Sequence, residues 1–216
     1  MRGLDDLIAG YGRFKRESYP GRRETYRALA LEGQSPNIMV IGCCDSRVDP
    51  CAIFNAGPGE LFVVRNVANL VPPYSTARGH HGTSAAIEFA VGSLGVAHIV
   101  VMGHAICGGV AALMNRAAGD ECDRSNIGSW MSAAMPALEK TLESNLEVGS
   151  DAFTTALEMA VIRLSLENLK AYPVVRDAMA SGSVDLHGAW FSIETGDLHL
   201  MDDKGGAFLP IQLPGI

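Results

Sequence analysis

The sequence contains no run approaching the ~20 consecutive apolar residues that a membrane-spanning helix needs. Its opening residues, MRGLDDLIAGYGRFKRE, lack the continuous apolar stretch of a secretory signal, and Asp5 and Asp6 come too early for a mitochondrial transit peptide. The expectation is a soluble, cytoplasmic chain. Positive charge is in short supply: 17 Lys and Arg stand against 24 Asp and Glu, a formal net charge of -7. A phosphate backbone or an anionic membrane surface would repel that on average, so neither nucleic acid nor membrane is an expected partner. No G-x-G-x-x-G or G-x-x-x-x-G-K pattern occurs, which argues against a dinucleotide or ATP enzyme. The H-x-E and P-C-x-x-C pair of the zinc deaminases is missing as well. Cysteines are few and odd in number, at 43, 44, 51, 107 and 122. They do not read as a disulfide framework, which leaves metal binding, thiolate chemistry or plain burial.

What is present suits one compact domain spanning residues 1–216. Hydrophobic residues make up 48% and charged residues 19%, too apolar for a disordered chain and enough for a sizeable core. Residues 2–18 and 22–32 show helical spacing, with Leu4, Leu7, Ile8 and Tyr11 three and four apart. Short apolar runs at 38–41, 61–64 and 97–102 have the profile of strands buried on both faces. Helices are expected over 79–95, from Gly108 onward, over 125–146 with a kink or break at Pro136, and over 150–171. A further short helix follows Pro173, and 184–194 with 197–201 reads as a hairpin around Thr195-Gly196. Strands alternating with helices predict an α/β fold. Its central sheet is mainly parallel and flanked by helices, with N-terminal helices and a C-terminal antiparallel strand or hairpin.

Two segments share one design, a buried strand ended by Gly and followed by metal-binding side chains. They are Ile41-Gly42-Cys43-Cys44-Asp45-Ser46-Arg47 and Met102-Gly103-His104-Ala105-Ile106-Cys107-Gly108-Gly109. In open parallel sheets, ligands bind beyond the carboxyl ends of the strands. Cys43, His104 and Cys107 offer two sulfurs and one nitrogen, a donor set that favours Zn2+ and leaves a fourth position for chemistry. Gly108 and Gly109 permit close backbone approach, and their amides at a helix start favour an anion beside the metal. Asp45 and Arg47, two residues apart after a strand, can pair, and the Arg keeps Asp45 ionised. Such an Asp either orients a hydroxide on the metal by accepting its hydrogen bond or swings onto the metal as a fourth ligand that closes the site. Cys44 should point away from Cys43 into packing; His98, His187 and His199 read as structural, as do Cys51 and Cys122.

C-x-D-S-R-V followed about 60 residues on by G-H-x-x-C-G-G resembles the signature of the β-carbonic anhydrases. Residues 58–74, 82–91, Ser165-Leu166-Glu167-Asn168-Leu169 and Leu186-His187-Gly188 also resemble that family, so the likeness spans roughly residues 30–200. The resemblance implies reversible hydration of carbon dioxide to bicarbonate and a proton. Cys43, His104 and Cys107 would hold zinc, whose hydroxide attacks CO2, with Asp45 and Arg47 as the catalytic dyad. Gln34 would donate to a bicarbonate oxygen, Phe62 and Val67 would line an apolar cleft, and the Gly108 amide would lie beside the anion. The cleft would be shared across a homodimer interface to which Gln34, Phe62 and Phe89 contribute, with residues 1–33 as a helical arm serving dimerisation; tetramers are common.

Two departures from the family pattern stand out. Many relatives carry Tyr where this chain has Phe89, so a hydroxyl is missing. Some bacterial relatives have a second, inhibitory bicarbonate site of Trp, Arg and Tyr, where this chain offers Val40, Arg65 and Phe191; no bicarbonate-operated inhibition is expected. The pattern, with Pro72-Pro73-Tyr74, resembles the plant-type branch. His80 and His81 are candidates for passing the proton outward. Two other functions fit the same residues: a carbonyl sulfide or carbon disulfide hydrolase on the same scaffold, and a non-catalytic zinc- or bicarbonate-binding protein.

Overall fold

The computed structural model describes residues 3–77, 81–117, 125–202, 204 and 206–213. The chain forms two compact units, Met1–Ser35 and Pro36–Ile216. In the first, α1 (Leu4–Arg13) starts with Asp6 accepting from the Gly3 N–H at 3.0 Å, and Asp5 and Asp6 complement the helix dipole. A π turn (Phe14–Ser18) leads straight into α2 (Tyr19–Glu32). The expected gap at 19–21 is therefore bridged. Pro20 lacks an N–H, so the ladder skips it, and Tyr19 bonds back to the Phe14 carbonyl with the wider π spacing. Gly33, at φ 85, ends α2. Phe14 packs edge-on against Tyr19 and Tyr26. No described residue of α1 or α2 is buried, and Leu4, Leu7, Ile8 and Tyr11 leave one apolar face of α1 exposed.

The second unit is built on one six-stranded sheet. In chain order its elements are β1 (Ile38–Cys43), α3 (Pro50–Ile53), β2 (Leu61–Asn66), α4 (Gly82–Phe89) and β3 (His98–His104). There follow α5 (Gly108–Ala117), α6 (Asn126–Met131), α7 (Met135–Leu142), α8 (Asp151–Lys170) and α9 (Pro173–Ala180). The chain closes with β4 (Asp185–Phe191), β5 (Leu198–Met201) and β6 (Phe208–Pro210). The spatial order is β2-β1-β3-β4-β5-β6; the first four strands are parallel, β5 runs antiparallel to β4, and β6 antiparallel to β5. The expected fold class is the one observed.

β1 is buried along nearly its whole length and β2, at the edge, is half-buried, as a central and an outer strand should be. One sheet face carries Met39, Ile41, Ile99, Val101 and Trp190 into a core shared with Ile87, Ile162, Leu166, Leu169 and Tyr172. α8 approaches β3 so closely that a Cβ on Gly103 would stand 2.7 Å from Ile162 Cδ1. The region 125–146 is shorter in helix than its periodicity predicts. Ser125 caps α6, a 3-10 turn (Ser132–Ala134) follows, and Pro136 opens α7, which stops at Leu142. Ser150 then caps α8 through the Phe153 N–H.

Candidate metal centre and its surroundings

β1 connects to β2 on one side of itself, whereas β3 lies on the other side. The crevice therefore opens at the carboxyl ends of β1 and β3, the switch point where such sheets bind ligands. Cys43 is the last residue of β1 and His104 the last of β3. Cys107 follows one turn later, immediately before α5. All three are buried, and their ligand atoms lie within 4.8 Å of one another.

The protonation chemistry of this trio fits a cation. His104 Nδ1 bonds to the Ala105 carbonyl at 2.8 Å, which assigns the ring proton to Nδ1. Nε2 is then an acceptor, buried and with no hydrogen bond among the described residues, an arrangement that costs free energy unless something ligates it. Burial works against charge on this ring, but Cys43, the Ala105 carbonyl and Asp45 outweigh it and raise its pKa. The Cys107 thiol, facing Cys43, pulls the Cys43 thiol far below its ordinary value against the effect of burial. Cys107 is pushed up in turn, first by that same neighbour and then by burial. Two buried sulfurs thus share one easily lost proton and resist losing the second. A divalent cation removes that resistance, and two sulfurs with one imidazole leave a fourth position open.

Asp45 lies beside the trio and belongs to Arg47. Arg47 Nε and its backbone N–H each donate to Asp45 Oδ1 at 2.9 Å, and Nη2 donates to Oδ2 at 2.7 Å. These bonds hold the Asp45 carboxyl well below the usual carboxylate range. Arg47 Nη2 also donates to the Ile106 carbonyl at 3.1 Å. The loop itself is laced down by Arg65, which donates to the carbonyls of Cys43 and Asp45 and pairs with Asp49. Asp49 also caps α3.

The turn after β2 forms the next wall. Ala68 and Asn69 have positive φ, and Asn66 closes the turn by bonding both the N–H and the carbonyl of Leu70. Trp130 Nε1 donates to the Val67 carbonyl at 2.8 Å. A Cβ on Gly109 would stand 2.8 Å from Val67, so close approach is required there, whereas Gly108 faces open space. Phe62, half-buried, meets the exposed Phe89 ring at 6.0 Å. Gln34 belongs to the first compact unit. Cys44 is exposed rather than packed, because strand geometry ends at Cys43 and strict alternation ends with it. His98 and His187 are hydrogen-bonded to each other, His81 lines a cavity of about 750 Å³ with Asn66, Val67 and Trp130, and His80 and Cys122 lie outside the described residues.

Residues 38–198 match the carbonic anhydrase sequence family. The chain belongs to the β-carbonic anhydrases. It is 34% identical to a carbonic anhydrase of Synechococcus elongatus, over 97% of this chain and 77% of that protein. It is 41% identical to β-carbonic anhydrase 5, chloroplastic, of Arabidopsis thaliana, over 88% of this chain and 62% of that protein. Among solved structures, the β-carbonic anhydrase CcaA superposes with a TM-score of 0.88 at 30% identity, covering 98% of this chain and 93% of that one. One of two tetrameric β-carbonic anhydrases from Sordaria macrospora gives 0.69 at 29% identity, over 91% and 92%.

In this β-carbonic anhydrase the residues beneath the metal centre are the ones that sequence reasoning missed. Glu158 of α8 is 2% exposed; its Oε1 accepts from the Cys107 N–H at 3.1 Å and its Oε2 from Trp190 Nε1 at 3.0 Å. Burial pushes its carboxyl up, and these two bonds work against that. A signal existed. Position 158 falls within the buried stripe of Phe153, Leu157, Val161, Ile162 and Ser165, where a carboxylate without a purpose is a liability. The Arg65 bonds had no local signal, since they span about 20 residues of intervening chain.

Proposed function

We propose that the chain catalyses the zinc-dependent, reversible hydration of carbon dioxide to bicarbonate and a proton. The observation that carries this reading is the buried Cys43, His104 and Cys107 trio beside a carboxylate held ionised by Arg47. Those three residues would hold zinc, which in such a donor set brings the pKa of a water to about 7 and so supplies a nucleophile at neutral pH. Asp45 is acceptor-only while Arg47 holds its charge, so its carboxylate would accept a hydrogen bond from that nucleophile and orient it toward CO2. Binding the metal itself, in a closed state, would require Asp45 to leave Arg47. Phe62, Val67 and Phe89 supply apolar surface for CO2, with no hydroxyl from Phe89. The Gly108 amide, at the positive end of α5, favours the bicarbonate anion. By the family resemblance, Gln34 would be contributed across the dimer interface and donate to a bicarbonate oxygen, and His81, which lines its cavity, would take the proton outward.

The same reading makes the protein a homo-oligomer, at least a dimer, with the arm of residues 1–33 as the dimerising element. An exposed apolar face on α1 supports it. A cytoplasmic location is supported by the exposed free thiols of Cys44 and Cys51. Among the described residues, no helix is long and apolar enough to cross a membrane.

The test is stopped-flow CO2 hydration across mildly acidic to mildly alkaline pH, with zinc measured on the same preparation. Expected are about one zinc per chain, activity rising with pH through about 7, and a loss of roughly 100-fold or more in Asp45→Asn with zinc retained. Zinc without hydration activity would sink the reading and point to a carbonyl sulfide or carbon disulfide hydrolase, or, if that assay also fails, to a non-catalytic zinc- or bicarbonate-binding protein.

A further inference from the structure

We infer that Glu158 is a positioning residue for the metal centre, gripping the Ile106–Cys107 peptide from the core while Arg47 grips it from the active-site side. The inference rests on Cys107 being a zinc ligand, as proposed above. The two polar groups of that one peptide are both taken by side chains far away in sequence. Its carbonyl accepts from Arg47 Nη2, and its N–H donates to Glu158 Oε1, each at 3.1 Å. Such a grip is needed because Ile106 has φ 58. A β-branched residue holds the left-handed conformation only where its surroundings over-determine it. The turn at Ile106 is what returns the chain from His104 so that the Cys107 sulfur joins the other two donors.

The carboxylate is fixed in its own right. Its second oxygen is held by Trp190 on β4, and Trp190 is the register partner of Gly103, next to His104. Among the described residues no Lys or Arg forms an ion pair with Glu158. A buried carboxylate without a cationic partner is costly, and an apolar side chain would fill the space among Leu157, Val161 and Ile162 more cheaply. What only a carboxylate supplies is two acceptor oxygens with no donor. A glutamine there would turn its NH2 toward one of the two N–H groups. Glu158 thus links the α8 core and β4 to the geometry of one ligand without touching substrate.

The experiment compares zinc affinity, by chelator competition, and the absorption spectrum of the cobalt-substituted protein in wild type, Glu158→Gln, Trp190→Phe and the double variant, all full-length. Glu158→Gln is expected to weaken zinc by about 10- to 100-fold and to shift the cobalt bands, because the ligand is no longer held in place. Adding Trp190→Phe removes the opposing N–H, so the double variant should recover most of the affinity and the wild-type spectrum. Unchanged affinity and spectrum in Glu158→Gln, or a loss that Trp190→Phe leaves in place, would overturn the inference. If Glu158→Gln does not fold, Glu158→Asp decides: the shortened carboxylate no longer reaches the Cys107 N–H from α8, so the cobalt bands must move, and bands identical to wild type overturn it. Wild-type protein that takes up no zinc would overturn the metal reading itself, and this inference with it.

Discussion

At the scale of single residues, the most consequential group is Asp45, whose charge is protected by three hydrogen bonds from Arg47. A carboxyl with a lowered folded-state pKa contributes stability that is fully present above its unfolded value of about 3.9 and is lost as pH falls toward the folded value. Urea unfolding of wild type and Asp45→Asn should therefore show a stability difference that is constant from pH 5 to 7 and shifts against wild type below about pH 4. A difference that stays constant at low pH would mean the carboxylate gains nothing from Arg47. The three donors were legible because Cys43 and His104 each follow a Gly at a strand end and Cys107 comes three residues after His104, a local pattern. Glu158 was not, since its bond to Cys107 crosses 51 positions and only the fold creates it. Cys44 was misread because alternation was carried one residue past the point where β1 stops.

At the scale of elements, the contact of α8 with β3 sets how deep the sheet end lies beneath the helix. Gly103→Ala puts a methyl 2.7 Å from a fully buried Ile162, and overpacking of this kind costs about 1–3 kcal/mol. In the Ile162→Ala background the clash is gone, so the cost of Gly103→Ala should shrink markedly. Additive losses in a denaturant double-mutant cycle would show that the backbone, not Ile162, takes up the strain. β1, β2 and β3 were readable as short apolar runs, two of them ended by Gly, whereas β4 was legible only as half of the hairpin with β5. β6 escaped notice because it has three residues, ends in a proline and pairs only with β5. The junction at Tyr19-Pro20-Gly21 reads as a break in sequence, yet a π turn absorbs the missing N–H and the helix runs on.

At the scale of the whole molecule, a 35-residue unit with no buried residue in its helices cannot owe its order to a core of its own. The full-length chain is expected to sediment as a dimer or larger at micromolar concentration, and removal of residues 1–33 to yield predominantly monomer. A truncated chain that still sediments at the full-length oligomeric state would take the arm out of assembly. That residues 4–13 form a helix with one apolar face was legible in the 3–4 spacing of Leu4, Leu7, Ile8 and Tyr11. What covers it was not, because an apolar helix face reads alike in sequence whatever it packs against.

The strand order decides when the three donors that could hold a metal come together. Cys43 closes one strand, while His104 and Cys107 follow another that begins some 55 residues later, so the three donors meet only once β1 and β3 have paired. A zinc finger folds around its ion, which is why stripping the ion unfolds it. Here the donors stand on a sheet with an apolar core of its own, so removal of a bound ion is expected to leave the fold standing.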